Sequence, residues 1–124
     1  GTDDVYLDQL GLRWETVNDA GRRWLLIHQY PVPAGYSARR TLLALDVPPS
    51  YPAAQIDMFY TNPPLALASG RAIECTHIAA SIVGVAFNGW SRHRGPGSPW
   101  NPAVDNISTH LALVEDALAK EIGE

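Results

Sequence analysis

The clearest periodicity lies at the C-terminal end, where Val104, Ile107, Leu111, Val114, Leu118 and Ile122 recur at three and four residues between Pro102 and Glu121. That spacing lines up apolar side chains on one face of a helix about 30 Å long, with Glu115 and Lys120 on the other side and Gly123 as its stop. Asn101 is placed to cap this helix and Pro102 to open it, since proline has no N–H that needs a partner there. Asp3 to Leu10 predicts a second, short helix with Val5, Leu7 and Leu10 along its apolar edge. Between them the pattern becomes extended. Leu12–Val17 and Arg22–Gln29 are β-prone runs joined by Asn18-Asp19-Ala20-Gly21, which predicts a hairpin. Tyr30 to Gly35, with prolines at 31 and 33, reads as a loop. Arg40–Val47 places leucines on both faces and predicts a central strand, and Gln55–Thr61, with Ile56, Met58, Phe59 and Tyr60, predicts a fourth. The sum is a single α+β domain over residues 1–124: a four-stranded antiparallel meander with a short N-terminal helix and a long C-terminal helix. Leu65–Phe87 is apolar without a clean period and reads as a covering segment, with a short strand at Ile82–Phe87.

Composition narrows the class. With 124 residues, 46% apolar and 18% charged, and ten glycines and ten prolines, the chain suits one turn-rich globular core. A net charge of -4 argues against a general nucleic-acid binder, and Arg71, Arg92 and Arg94 make at most a local positive spot. No secretory signal is visible at the start and no apolar run approaches the ~20 residues of a membrane span, so neither membrane nor export is expected. The single cysteine, Cys75, excludes an internal disulfide and a four-cysteine zinc site and suits a reducing cytoplasm.

Chemistry concentrates between Phe87 and Pro102. Trp90, Ser91, Arg92, His93 and Arg94 are followed by Gly95, Pro96, Gly97 and Pro99, and in a helix those breakers would each cost about 1 to 3 kcal/mol, so this stretch reads as a loop. Ser91 and His93, two apart in an extended segment, share a face. A serine hydroxyl becomes a nucleophile only when a base takes its proton. The plainer alternative is that both side chains bind backbone groups and hold the loop. Cys75 is either an acceptor thiol or a small buried residue between Ile73 and Ile78. Arg92 and Arg94 can pair with carboxylates on a partner or act as ordinary surface charges. Trp90 and Trp100 are packing residues or partner platforms, while Trp14 and Trp24 read as core. His110 is expected at the edge of the buried helix face, and Asp105 beside the positive end of the helix dipole. A zinc site on Cys75 and His77 would need two further ligands from His28, His93 or His110, so no metal or cofactor is expected. A small hydrolase using His93 or Cys75 would need a deep pocket.

The order of helix, antiparallel meander, Tyr51-Pro52, irregular stretch, Asn88-Gly89 and Trp100-Asn101-Pro102 resembles the ubiquitin-conjugating (UBC-like) fold. More closely, Tyr51-Pro52, Asp57-Met58-Phe59-Tyr60, Pro63-Pro64-Leu65, Ser91-Arg92-His93, and Trp100 with Asp105 and Thr109-His110-Leu111 resemble the prokaryotic ubiquitin-conjugating-like family E. The likeness covers nearly the whole chain. It implies a bacterial operon encoding a ubiquitin-like protein and its activating enzyme, and these are the expected partners. Conjugating enzymes of this fold carry their acyl group as a thioester on a cysteine preceded by His-Pro-Asn, and this chain has no His-Pro-Asn. Counting back eight residues from Trp100 reaches Arg92 beside Ser91, whereas counting forward from Tyr51 arrives next to Cys75, sixteen residues earlier than Ser91. An insertion between the fourth strand and the terminal helix would reconcile the two. The resemblance therefore implies binding of a ubiquitin-like protein and its activating enzyme at an unconventional or degenerate site. Ser91, His93 and Cys75 are the catalytic candidates, and Trp90, Arg92, Arg94 and Trp100 the partner-binding ones. A silent interaction scaffold and a small hydrolase remain the rival readings.

Overall fold

In the computed structural model, which describes residues 2–123, the chain runs α1 (Thr2–Gln9), β1 (Trp14–Asp19), β2 (Arg22–Pro31), β3 (Arg40–Val47), β4 (Phe59–Asn62), β5 (Ile78–Ile82), β6 (Val85–Trp90) and α2 (Ile107–Gly123). The strands form one sheet in the order β1-β2-β3-β4-β6-β5, every neighbouring pair antiparallel. The sheet thus has six strands and not four. β6 pairs with β4, and β5 lies outermost, so the end of the covering segment, where the sequence predicts one short strand at Ile82–Phe87, is a hairpin of two strands. Its period was hidden because Ile82 and Phe87 are buried while Ile78, Val83 and Val85 stay exposed. Its turn was hidden because Val83, a β-branched residue, takes a positive φ (44°) ahead of Gly84 (80°) in a two-residue turn, where sequence reasoning looks for Asn or Asp.

Strand alternation feeds two cores. Leu25 and Ile27 of β2, with Leu43 and Leu45 of β3, Phe59 and Trp90, face α1 and α2 through Leu7, Ile107, Leu111, Val114 and Leu118. Trp24 and Leu26 point the other way, joining Ala44, Tyr60, Ile82 and Phe87. Trp24 meets Tyr60 edge-on, ring centroids 5.1 Å apart. This second core is enclosed by the curl of the sheet. The Val83 N–H donates to Asp19 Oδ2 at 2.7 Å, so the β1–β2 and β5–β6 turns meet across it. Trp14, expected in the core, is half-buried, its indole N–H donating to Asp8 at 2.9 Å. β4 begins only at Phe59, because Met58 has φ 60° and takes the preceding residues off the ladder.

The terminal helix starts five residues later than the sequence pattern suggests. Asn101 and Pro102 belong to a separate turn, in which Asn101 Oδ1 accepts from Ala103 N–H (3.0 Å) and Asp105 Oδ2 accepts from Asn101 N–H (2.7 Å). Asp105 therefore serves that turn and not the helix dipole, and Val104, 63% exposed, falls outside the apolar stripe. The cap is Asn106. Its Oδ1 accepts from the N–H groups of Ser108 (2.9 Å) and Thr109 (3.2 Å), while Thr109 Oγ1 accepts from Asn106 N–H (3.0 Å). This is a reciprocal capping arrangement with threonine in place of glutamate. Tyr51 Oη accepts from Ile107 N–H (2.9 Å) and donates to Asp3 (2.7 Å), joining the starts of both helices. Among the described residues no helix is long and apolar enough to cross a membrane.

Removing the cap with Asn106→Ala is expected to cost about 1 kcal/mol and lower the melting temperature by about 4 °C, with Asn106→Asp close to wild type. Thermal denaturation followed by circular dichroism measures both.

Candidate functional site

β6 delivers the chain to the site. Its last residue, Trp90, is 1% exposed and stacked on Phe59 with centroids 5.1 Å apart. Ser91 comes next, and its N–H donates to the Cys75 carbonyl at 2.9 Å. The two positions reached by counting forward from Tyr51 and back from Trp100 are thus neighbours in space. The residues that separate them along the chain are chiefly the β5–β6 hairpin, folded back on itself. Cys75 is exposed, with φ 58°.

Beyond Ser91 the side chains form a hydrogen-bonded line. Ser91 Oγ is 3.0 Å from His93 Nε2, and His93 Nδ1 is 2.9 and 3.0 Å from the two carboxylate oxygens of Asp57. An ionised carboxylate can only accept, so the neutral imidazole carries its proton on Nδ1 and presents Nε2 as the acceptor for the serine hydroxyl. That is the arrangement required of a base beside a nucleophile. His93 and Asp57 keep 56% and 44% of their side-chain surface exposed, so water screens the pair, and its contribution is orientation more than stability. Asp57 is the functional candidate that sequence reasoning missed. It stood within the motif Asp57-Met58-Phe59-Tyr60, but nothing in the spacing ties it to a histidine 36 residues away. The one available signal was chemical, since a Ser-x-His pair calls for an acid to orient the ring.

The acid is itself held from beneath. Asp57 Oδ1 accepts from Met58 N–H (3.1 Å), and the Met58 carbonyl accepts from His110 Nε2–H on α2 (2.7 Å). His110 is 1% exposed, well inside the helix face and not at its edge. Its Nδ1 has no partner, and burial, opposed by the Met58 bond, pushes its pKa down, Arg94 adding to the fall and Asp57 resisting it.

The two arginines brace the loop. Arg92 lies over Trp90 (4.9 Å) and donates to the carbonyls of Glu74 (3.1 Å), Ser91 (3.2 Å) and Cys75 (3.4 Å), with Glu121 of α2 at 3.5 Å. Trp90 accordingly supports Arg92 and offers almost no surface of its own. Arg94 lies over Trp100 (5.0 Å) with Asp105 at 3.6 Å, and its Nε and Nη2 are buried without a partner. Trp100 in turn donates to the Pro52 carbonyl at 2.8 Å. Beside Ser91 and His93 lies a depression of about 350 Å³, walled on the far side by Leu113, Asp116, Ala117 and Lys120 of α2. Among the described residues no group of three or more His, Cys, Asp or Glu is placed to hold a metal ion.

The neutral state of His110 makes stability depend on pH. Its folded pKa lies below the ordinary 6.5, so the unfolded chain binds the extra proton first, and stability is full above about pH 6.5 and declines as pH falls through and below it. Chemical denaturation at stepped pH is expected to show His110→Gln less stable than wild type near neutrality, the gap narrowing below pH 6.5.

The comparisons with known proteins agree with this architecture at one level. The family model described as prokaryotic E2 family E matches residues 1–121, whereas no curated protein and no solved structure gives a match. Nearly the full length is covered, and the motif residues come together in two groups, Tyr51 with Trp100 and Asp57 with His93 and Ser91. The chain therefore belongs to prokaryotic E2 family E, a bacterial branch of the ubiquitin-conjugating-like proteins.

Proposed function

We propose that this protein is an acyl carrier in a bacterial ubiquitin-like conjugation pathway, taking the carboxyl-terminal acyl group of a ubiquitin-like protein from its activating enzyme onto Ser91. The observation that carries the reading is the Ser91–His93–Asp57 line, with both of its contacts at hydrogen-bond length. His93 Nε2 takes the hydroxyl proton as Oγ attacks the activated carbonyl carbon. The new bond is an oxyester, and the bond from that carbon to the leaving sulfur or phosphate oxygen of the activated partner breaks. Asp57 stabilises the imidazolium formed, which then returns its proton to the leaving group. An acceptor amine reverses the arrangement: its nitrogen attacks the oxyester, an amide forms, and Ser91 recovers its proton. An oxyester is less reactive than a thioester, so the base that this chain places beside its nucleophile has a role in both halves of the cycle.

Exposure of His93 and Asp57 means that a bound partner must exclude water before the pair acts at full strength. The same exposure favours the rival reading, a silent scaffold that binds the ubiquitin-like protein and activating enzyme without accepting the acyl group. The small-hydrolase reading is weakened by the exposure of His93 and Asp57, which leaves the base open to solvent where a hydrolase pocket would enclose it. The rim open to partners is the Gly95–Pro99 segment with the edge of Trp100, held in place by Arg94 and, at the Ser91 end, by Arg92.

Incubation with the ubiquitin-like protein, activating enzyme and ATP separates these readings. The expected adduct survives thiol reductant, is cleaved by hydroxylamine, persists in Cys75→Ala and is absent in Ser91→Ala. His93→Gln is expected to slow its formation by about 10²- to 10⁴-fold, and Asp57→Asn by a smaller factor. An adduct sensitive to reductant and lost in Cys75→Ala would move the chemistry to the thiol. Absence of any adduct on the wild-type chain would leave the scaffold.

A further inference from the structure

The outer edge of β5 has no partner within the chain, and it lacks the usual protections of such an edge. Edge strands are normally blunted by charge, proline or a bulge. The opposite edge, β1, carries Glu15 and Asp19. From His77 to Phe87 there is no Asp, Glu, Lys, Arg or Pro, and of the five exposed large apolar residues among the described residues three, Ile78, Val83 and Val85, lie on this hairpin. Its two-residue turn also fixes which backbone groups face outward. Ile82 and Val85 flank the turn and form a hydrogen-bonded pair, so with the register given, Ala80↔Phe87 and Ile78↔Gly89 are hydrogen-bonded as well. Ala79 and Ser81 then point their N–H and C=O groups away from β6, and among the described residues nothing receives them.

Resting on the acyl-carrier reading above, we infer that this edge accepts the extended carboxyl-terminal tail of the ubiquitin-like protein as a seventh, antiparallel strand. Strand direction selects this occupant. β5 runs away from the site, from Ile78 to Ile82, so a peptide antiparallel to it runs toward the site and leaves the ladder next to Cys75. The Ser91 N–H bonds the Cys75 carbonyl across the continuation of the β5–β6 pair, so the tail, lying one spacing outside β5, has two strand spacings, about 10 Å or three extended residues, left to cross before its terminal carbonyl reaches the serine. A parallel peptide would deliver its carboxyl end to the Val83–Gly84 turn, at the opposite end of the strand. The edge offers two outward N–H and two outward C=O groups. Four hydrogen bonds align a short tail whose folded domain is bound elsewhere, and they are too few to hold two copies of this chain together. The chemistry expected of the tail follows: uncharged where it lies beside Ile78–Ser81, and small at its end, where it passes Cys75 and Arg92.

Backbone amide hydrogen exchange of the Ser91→Ala chain, which cannot be acylated at that position, tests the edge apart from the transfer step. Adding the ubiquitin-like protein used in the charging assay is expected to protect the amides of Ala79 and Ser81, and the same protein shortened by its last eight residues is expected not to. Ser81→Pro removes one outward N–H and no bond of the β5–β6 ladder, so it should raise the KM for the ubiquitin-like protein in charging about five- to tenfold with little change in kcat. Protection without any charging of the wild-type chain would sustain the strand addition and defeat the acyl-carrier reading. Charging with no protection at either amide and an unchanged KM in Ser81→Pro would overturn the strand addition and leave the carrier standing. A concentration-dependent dimer of the wild-type chain, lost in Ser81→Pro, would also overturn it and assign the edge to a second copy.

Discussion

The site depends on the packing of Trp90, which is 1% exposed. Its indole is stacked on Phe59 inside the larger core and covered by the Arg92 guanidinium, so the end of β6 is anchored in tightly packed material. Ser91 follows this anchor directly, and its N–H is already committed to Cys75. Arg92, whose N–H donates to the Trp90 carbonyl at 3.0 Å and whose guanidinium holds three carbonyls, directs the backbone on to His93, and Asp57 orients the imidazole from the neighbouring segment. Rigidity in the scaffold is what allows so exposed a trio to keep its geometry.

Arginine has an unusual role here. Residues 90–100 contain two arginines and two tryptophans, each guanidinium lying over one ring. Arg92 also gathers three backbone carbonyls from two segments, at Glu74, Cys75 and Ser91. A planar donor that can both stack and bond in its plane does this with one side chain, and lysine could not. Arg92 thus braces backbone on both sides of the β5–β6 hairpin, while Arg94 holds the Trp100 ring and Asp105.

The fold was legible where periodicity and burial agreed. The β1–β2 hairpin, β3 with its leucines on both faces, and the stripe Ile107, Leu111, Val114 and Leu118 all lie as their spacing implies. It was illegible where local rules yield to tertiary demands. Val83 accepts a positive φ, apolar side chains sit exposed along the β5–β6 hairpin, and Asn101-Pro102, a sound start signal for a helix, opens a turn while Asn106 caps the helix. The site was half legible. Ser91 and His93 could be paired from their spacing in an extended segment, but Asp57 lies on another segment and is brought to them by the sheet and by His110, and no one-dimensional pattern encodes that approach.

The hairpin folded between Cys75 and Ser91 has a bearing on how relatives are compared. Two landmarks that disagree along the chain, one measured from Tyr51 and the other from Trp100, specify the same place on the molecule. Column-by-column alignment treats them as different positions and would score a protein with a thiol at one and a protein with a hydroxyl at the other as unrelated in chemistry. Superposed by strand, they are adjacent seats at one table, and a reactive group could pass between them in evolution without the surrounding architecture being rebuilt.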